Sequence, residues 1–307
     1  NGLPRKMLPL AYFFAIAGMI GCLPAFQSNQ LIQITADLAF PDVENFNVYG
    51  GLVLASLTGI VVIGGLKRIA EVASYLVPFM GSVYFGAMLI AILLNLELVV
   101  PAFKLIFIDA FNGTAVAGGT FIGVLIYGVR RGAFSNEAGM GTESLVHGVA
   151  KVSNPVKQGL VAMTGPIFDT LIICTATALI ILISGVWETS TSQGVTLTSE
   201  AFNLLLGDFG GFILFACVVC FGLSTIFTYS YYGATCARFI FGNFGMNFYI
   251  YLYILGIFIY SILPIDIAIN IADGAFAMMA IPTLISALWL APKVMQASKN
   301  YFKLIKI

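Results

Sequence analysis

Long apolar runs fill most of this chain and leave few folds open to it. A helix needs about 20 apolar residues to cross a hydrocarbon core about 30 Å thick. Only 9% of the 307 residues are charged, whereas about a quarter would be charged in a soluble domain. The sequence therefore predicts an all-α integral membrane protein of about eight transmembrane helices. The predicted spans are 9–35, 49–66, 72–97, 112–131, 158–185, 208–231, 245–263 and 266–291.

The basic residues predict how these spans are oriented. Under strict alternation of the spans, every Lys and Arg except Lys104 falls on one side of the bilayer, and short loops rich in Lys and Arg are typical of the cytoplasmic side. We therefore predict a multi-pass protein of the plasma (cell) membrane, surrounded by the lipid bilayer, with both ends of the chain cytoplasmic. The formal net charge of +0 gives no indication of a nucleic-acid partner.

Two connections between spans are long enough to hold structure of their own. In the segment 132–154, which is predicted to be cytoplasmic, Ser135 could cap a short helix that runs through Glu137. Pro155 is expected to begin the next span, because proline favours the first turn of a helix. On the other side, the Gly-, Thr- and Ser-rich stretch 187–198 is predicted to be a flexible loop.

The pair Gly118–Gly119 predicts an interrupted helix near the middle of the membrane. Arg130 lies about 12 residues further on, or roughly 18 Å at the helical rise per residue. If Arg130 and Arg131 mark a membrane surface, the glycines lie near the midplane. Unwound backbone at that depth is tolerated only where it is buried in protein or lines a watery cavity. Plain helix packing by small residues is the alternative interpretation.

Amides in the first span form a second polar group within the membrane. Gln27 and Gln30 are three residues apart, so they share a helix face that should point into the bundle, and Asn29 lies between them. Amides offer both donors and acceptors and so suit a zwitterionic ligand. Interhelical packing is the competing explanation. Pro24 is expected to kink this helix just before the amides.

Acidic residues inside spans are functional candidates because their burial in a membrane is costly. Asp169 is predicted near the midplane, where it would bind a cation, carry a proton or form a bond between helices. For Asp273 a hydrogen bond between helices near the outer surface is favoured. Glu137 and Glu143 are predicted to be solvated or paired with Arg130 and Arg131.

Hydroxyl groups of the sixth predicted span suggest a sodium site. Ser224 and Thr225 lie one turn beyond the carbonyl of Phe221, and together they offer hard oxygen ligands for an alkali cation. The alternative is ordinary bonding of Ser and Thr to their own helix. No nucleophile–base pair, phosphate loop or metal-ligand spacing is visible, so the sequence predicts neither an enzyme nor a cofactor beyond sodium as a coupling ion.

Two stretches of sequence resemble a known family. RRGAFSNEAGMGTESLVHGVA followed by NPVKQGLVAMTGPIFDTLIICTATALI is closely similar to the alanine or glycine:cation symporter family. The resemblance implies a leucine-transporter-like bundle with inverted repeats and one broken helix here, at Gly118–Gly119. It also implies that residues 1–307 form a single transmembrane transporter domain that lacks about three N-terminal spans of the family.

The resemblance also implies roles for individual residues. Gln27 and Asn29 match a family QxN, and Ser224 and Thr225 match a Thr-Thr pair that would bind sodium together with Phe221. Gly118, Gly119, Thr120 and Phe121 would contact the substrate, with Phe121 as an aromatic lid.

These observations predict sodium-coupled symport of a small neutral amino acid, alanine or glycine. Proton-coupled transport through Asp169, or a non-transporting membrane subunit or sensor, are the alternatives.

Overall fold

The computed structural model describes residues 3–111 and 121–305, apart from the side chains of Leu66, Phe121 and Ile305. Every regular element in these ranges is helical, as the sequence predicted. The helices are α1 (Leu8–Gly21), α2 (Ala25–Ala39), α3 (Phe46–Val62), α4 (Gly65–Leu94), α5 (Leu96–Phe111), α6 (Phe121–Asn136), α7 (Thr142–His147), α8 (Pro155–Pro166), a π-helical segment (Ile167–Cys174), α9 (Thr175–Ser184), α10 (Val186–Thr189), α11 (Val195–Leu206), α12 (Asp208–Ile262) and α13 (Ile265–Ile305).

Five helical stretches in the described ranges are long and apolar enough to cross a membrane. They are Arg5–Ala39, Lys67–Leu94, Pro155–Ser184, Asp208–Ile262 and Ile265–Leu304. The count differs from the predicted eight for identifiable reasons. α12 contains two predicted spans, α3 has only 17 residues, and the predicted span 112–131 begins among residues that are not described. The eight-span bundle and its inverted repeat therefore stay predictions.

The break in the first span lies where Pro24 predicted it. α1 ends at Gly21 and α2 begins at Ala25, with Pro24 at the N-cap position of α2. Proline has no backbone N–H to continue the α1 ladder. The interruption separates the register of α2 from that of α1, so its amides need not continue the face of α1.

α12 is a helical hairpin rather than one rod. Gly242 has φ 67° and ψ −158°, a conformation that only glycine adopts readily. Beyond this turn the chain runs back along itself. The hydroxyl of Tyr253, after the turn, donates to the carbonyl of Ile226, before it, at 2.7 Å. Tyr249 also lies so close to Gly233 that a Cβ atom there would be 2.1 Å from its hydroxyl oxygen. The predicted boundary between the two spans, at 231–245, therefore contains the actual turn.

The hairpin of α12 is the centre of the fold. It packs against α1, α2, α3, α4 and α11, while α1 and α2 also pack against α13. One apolar cluster joins α1, α2, α3, α12 and α13, and a second joins α4, α9, α11 and α12. Polar side chains that lie between these clusters are therefore held by helices on several sides.

Two predictions about the connections were wrong. Ser135 does not cap a helix: it lies in the last turn of α6, and the short helix of this connection is α7. The stretch 187–198 is also not a loop throughout, because α10 and the first turn of α11 occupy part of it. The prediction for Pro155 was correct. It is the first residue of α8, and Asn154 caps that helix by accepting from Val156 N at 2.9 Å.

Candidate functional site

A cavity of about 380 Å³ lies between α2, α6, α11 and α12. It brings together three of the residues predicted from sequence: Gln27 from α2, and Phe221 and Thr225 from α12. Gly194 and Val195, at the start of α11, also line it, and so do Glu137 and Tyr229. A mostly apolar cavity with a few convergent polar groups is the usual form of a small-molecule site.

The amides of α2 divide between the cavity and the helix bundle. Gln27 and Gln30 both line the cavity, and the Gln30 side chain accepts a 3.4 Å hydrogen bond from the backbone N–H of Val195. Asn29 instead donates to the carbonyl of Leu263 at 2.6 Å, and so it ties α2 to the end of α12. The packing role considered for these amides therefore applies to Asn29 in this structure, whereas Gln27 lines the cavity.

The predicted sodium ligands lie together on α12. The hydroxyls of Ser224 and Thr225 each donate to the carbonyl of Phe221 at 2.9 Å. Only Thr225 and Phe221 line the cavity, while Ser224 is buried and faces Met80 of α4 at 4.0 Å. This is the local bonding of Ser and Thr to their own helix. It also gathers three oxygens of the kind that hard cations prefer. Each hydroxyl keeps its lone pairs free to coordinate.

Asp169 lies in the π-helical segment, next to the last turn of α6. Its carboxylate accepts from the hydroxyl of Ser135 at 2.6 Å and from that of Thr170 at 3.2 Å. Asn136 donates to Thr170 at 3.0 Å. Asp169 therefore joins two helices through hydroxyl groups, and Ser135 separates it from the cavity. π-Helical turns are frequent at functional sites, but here the visible contacts of Asp169 connect helices.

Glu137 follows directly after α6 and turns towards α12, not towards solvent. Its carboxylate accepts a 2.6 Å hydrogen bond from the hydroxyl of Tyr229. Burial raises the pKa of the Glu137 carboxyl above its ordinary value, the negative charges of Glu143 and Asp169 raise it further, and the contacts with Thr142 and Tyr229 lower it. The Thr142 hydroxyl is itself fully buried and has no partner in hydrogen-bond geometry.

The arginines of α6 pair differently from the prediction. Both guanidinium groups approach Asp273 of α13: Arg131 donates to both carboxylate oxygens, and Arg130 lies 3.6 Å from one of them. The predicted pairing of these arginines with Glu137 or Glu143 was therefore wrong. Asp273 does bond between helices, as expected, but with charged partners. These arginines were predicted at the cytoplasmic surface and Asp273 near the outer one, so the two predicted positions do not both hold. Glu137 is left to a neutral partner, the phenol of Tyr229.

The predicted break in the middle of the membrane lies outside the described residues, so Gly118, Gly119 and Thr120 have no described position. Phe121 begins α6, but its side chain is not described. The contacts predicted for these four residues stay predictions.

Sequence reasoning placed Gln30 on the right helix face, but it missed Glu137, Tyr229 and the start of α11. A Glu in a polar loop next to two arginines gives no signal that it turns inward. Tyr229 was interpreted as an anchor at the membrane interface. For the start of α11, the one local signal in the sequence was the glycine at position 194. The structure gives it a positive φ of 61°.

The fold and the site define a membrane-embedded helical protein with a small cavity that amides, hydroxyls and one carboxyl line. The model of the sodium:alanine symporter family matches residues 1–306, and the chain belongs to that family, as its motifs predicted. The family is one of transporters.

Three curated relatives show how far this similarity extends. The chain is 35% identical to an uncharacterised transporter, YflA, of Bacillus subtilis, over 97% of the chain and 64% of the relative. It is 34% identical to the sodium/alanine symporter AgcS of Methanococcus maripaludis, over 100% of the chain and 68% of the relative. It is 33% identical to the probable sodium/glutamine symporter GlnT of Bacillus subtilis, over 89% and 58%. The chain thus spans about two thirds of the length of these relatives or less.

Proposed function

We propose that the protein is a secondary active symporter that carries a small neutral amino acid, alanine or glycine, together with sodium across the cell membrane. The observation that carries this proposal is the cavity that Gln27, Phe221 and Thr225 line together. Membership of the sodium:alanine symporter family supports it.

The two sides of the cavity would take the two solutes. On α12, Phe221 and Thr225, which line the cavity, would contribute a carbonyl and a hydroxyl oxygen to sodium. The third predicted ligand, Ser224, faces Met80 and would have to rotate its side chain to join them. On α2, the amides of Gln27 and Gln30 would bond to the carboxylate and ammonium groups of the substrate, because each amide carries both a donor and an acceptor. The cavity volume of about 380 Å³ leaves room for a free amino acid.

Sodium would drive transport by a shift of population. A cation that binds better to the substrate-ready conformation favours that conformation wherever its concentration is high. The site would then open alternately to the two sides as helices rock around it. The arrangement needs no covalent chemistry, only oxygens that bind a cation and amides that bind a zwitterion.

Proton coupling is the second candidate, since carboxyl groups lie at and near this cavity. Asp169 is half-buried, and Ser135 links it to the cavity. Under this alternative the driving ion would be a proton, and the oxygens of α12 would serve helix packing alone.

Uptake of labelled alanine by proteoliposomes that contain the intact protein tests the proposal. A sodium gradient should drive uptake, and Thr225→Val should abolish the sodium dependence because it removes one ligand without changing side-chain volume. Thr228→Val is the matched control: Thr228 makes the same bond to its own helix, to the carbonyl of Ser224 at 2.9 Å, but it does not line the cavity.

The outcomes separate the candidates. Uptake that a proton gradient drives equally well without sodium would favour the second candidate. Absence of uptake of any small neutral amino acid under either gradient would reject both.

A further inference from the structure

Glu137 occupies a backbone position that usually belongs to another residue type. Its φ is 55°, and it is one of two residues other than glycine with a positive φ in the described ranges. The position directly follows the last residue of α6, where glycine, or less often asparagine, is favoured because other residues are strained there. A carboxylate is also unfavourable at this end of a helix, where the helix dipole is negative. Helix termination therefore does not explain the glutamate.

The side chain of Glu137 points into the candidate site. It lines the same cavity as Gln27 and Thr225, and it accepts from the hydroxyl of Tyr229. Tyr229 follows Thr225 by one turn of α12, about 5 to 6 Å along the helix axis, so the carboxyl bonded to its hydroxyl shares the cavity with Thr225. The fully buried hydroxyl of Thr142 lies nearby without a partner in hydrogen-bond geometry, so it can bond to either form of the carboxyl.

The charged and titratable groups around Glu137 do not neutralise it. Glu143 and Asp169 bring further negative charge, and the titratable neighbours Tyr229, Tyr232 and Cys22 are neutral in their ordinary forms. The nearby cations, Arg130 and Arg131, are bound to Asp273. These surroundings therefore favour uptake of a positive charge, a proton or a cation, at the half-buried carboxyl.

We propose that Glu137 is the proton-binding group of the candidate site, through which pH controls cation binding at Thr225. The inference rests on the proposed function, since it assumes that a cation binds there. When Glu137 takes one proton from water, the carboxylate becomes a neutral carboxyl and the cation loses a nearby negative charge. When it releases that proton, cation binding strengthens. Tyr229 favours the charged form, because its hydroxyl donates to the carboxylate.

Binding of sodium to the purified intact protein tests this directly. Stabilisation against thermal unfolding is titrated with NaCl, at constant ionic strength with KCl, between pH 5.5 and 8.5. The sodium concentration for half-maximal stabilisation should rise at pH values below the pKa of Glu137, by up to about tenfold per pH unit, because the cation then binds next to a neutral group.

Three variants assign the effect to a residue. Glu137→Gln should reduce the pH-dependent change to less than about twofold, since it keeps the shape and removes the titration. Glu137→Asn should do the same and tolerates the left-handed backbone, so it replaces the glutamine variant if that variant does not fold. Tyr229→Phe should move the pH midpoint upward by about one unit, because the carboxylate loses a donor. A merely structural role for Glu137 would not produce that shift.

Glu143→Gln is the matched control, because it removes a neighbouring carboxylate that does not line the cavity, and it should keep the pH dependence. A pH dependence that persists in both Glu137 variants would overturn the inference, as would its loss in Asp169→Asn. Sodium stabilisation that is equal at all pH values would overturn the inference alone. Absence of sodium-specific stabilisation at every pH would overturn the proposed sodium coupling, and the inference with it.

Discussion

Asp273 shows how strongly one residue can organise its surroundings in this chain. Its side chain is 12% exposed, and both of its carboxylate oxygens accept hydrogen bonds from Arg131, whose side chain is 27% exposed. The guanidinium of Arg131 also lies 5.4 Å from the ring centres of Tyr127 and Phe134. The pair therefore fixes α6 against α13 and keeps both arginines away from Glu137.

We expect Asp273→Asn to lower the free energy of unfolding by about 1–3 kcal/mol, because it leaves a partly buried arginine without its counter-ion. The double variant Arg131→Gln/Asp273→Asn should recover part of this loss, since neither charge is then left unpaired. Thermal unfolding of the purified protein measures both. A double variant less stable than Asp273→Asn would contradict this account of the pair.

The sequence predicted which residues line the candidate site where the residue type is unusual for its surroundings. Gln27 and Thr225 were found because polar groups on apolar helices must face inward, and Phe221 because its carbonyl lies one turn before Thr225. The structure places all three at one cavity. Glu137 could not be found in this way. A carboxylate in a polar loop is ordinary. The side chain points inward because the backbone of Glu137 is left-handed, and the sequence around it does not specify that conformation.

Among the elements, proline and glycine decided where helices end. Pro24 predicted the break between α1 and α2, because it removes a donor at a known position. The turn at Gly242 fell between two predicted spans. The α11 helix was missed, because its first residues are polar and small and its position depends on contacts with α2. Such tertiary contacts have no period in the sequence.

The start of α11 closes one side of the cavity, and Gly194 makes this possible. A Cβ atom at Gly194 would lie 2.5 Å from the side-chain oxygen of Gln30. We expect Gly194→Ala to displace Gln30 and reduce alanine uptake at least about tenfold, because small misplacements of a binding group are costly.

Gly207→Ala is the control for this change. Gly207 also has a positive φ in a region that glycine alone adopts readily, at φ 73° and ψ −172°. No atom beyond its chain neighbours lies within 4 Å of the position that a Cβ atom would take. Both variants bear backbone strain of about 1–3 kcal/mol, so only the contact with Gln30 distinguishes them. Equal uptake by the two variants, after correction for the amount of folded protein, would show that Gln30 does not position the substrate.

For the whole molecule, the distribution of charge gives an orientation that the helices alone do not. Asp42 lies in the exposed turn between α2 and α3, and Asn300 is exposed near the end of α13. Thirteen of the 14 basic residues, all but Lys104, fall on one side under the predicted alternation of spans. We therefore expect Asn300 to lie in the cytoplasm and Asp42 outside the cell, by the bias of basic loops towards the cytoplasm.

Labelling of introduced cysteines in whole cells tests this orientation. A thiol reagent that does not cross membranes should label Asp42→Cys in intact cells, and should label Asn300→Cys only after the cells are opened. Cys22, Cys217 and Cys236 are buried and should contribute little background. Cys174 and Cys220 are half-buried. Replacing both with serine controls for labelling of these native cysteines. Labelling of Asn300→Cys in intact cells would reverse the orientation. The segment 132–154, which contains Glu137, would then lie outside the cell, and external rather than internal pH would act on it.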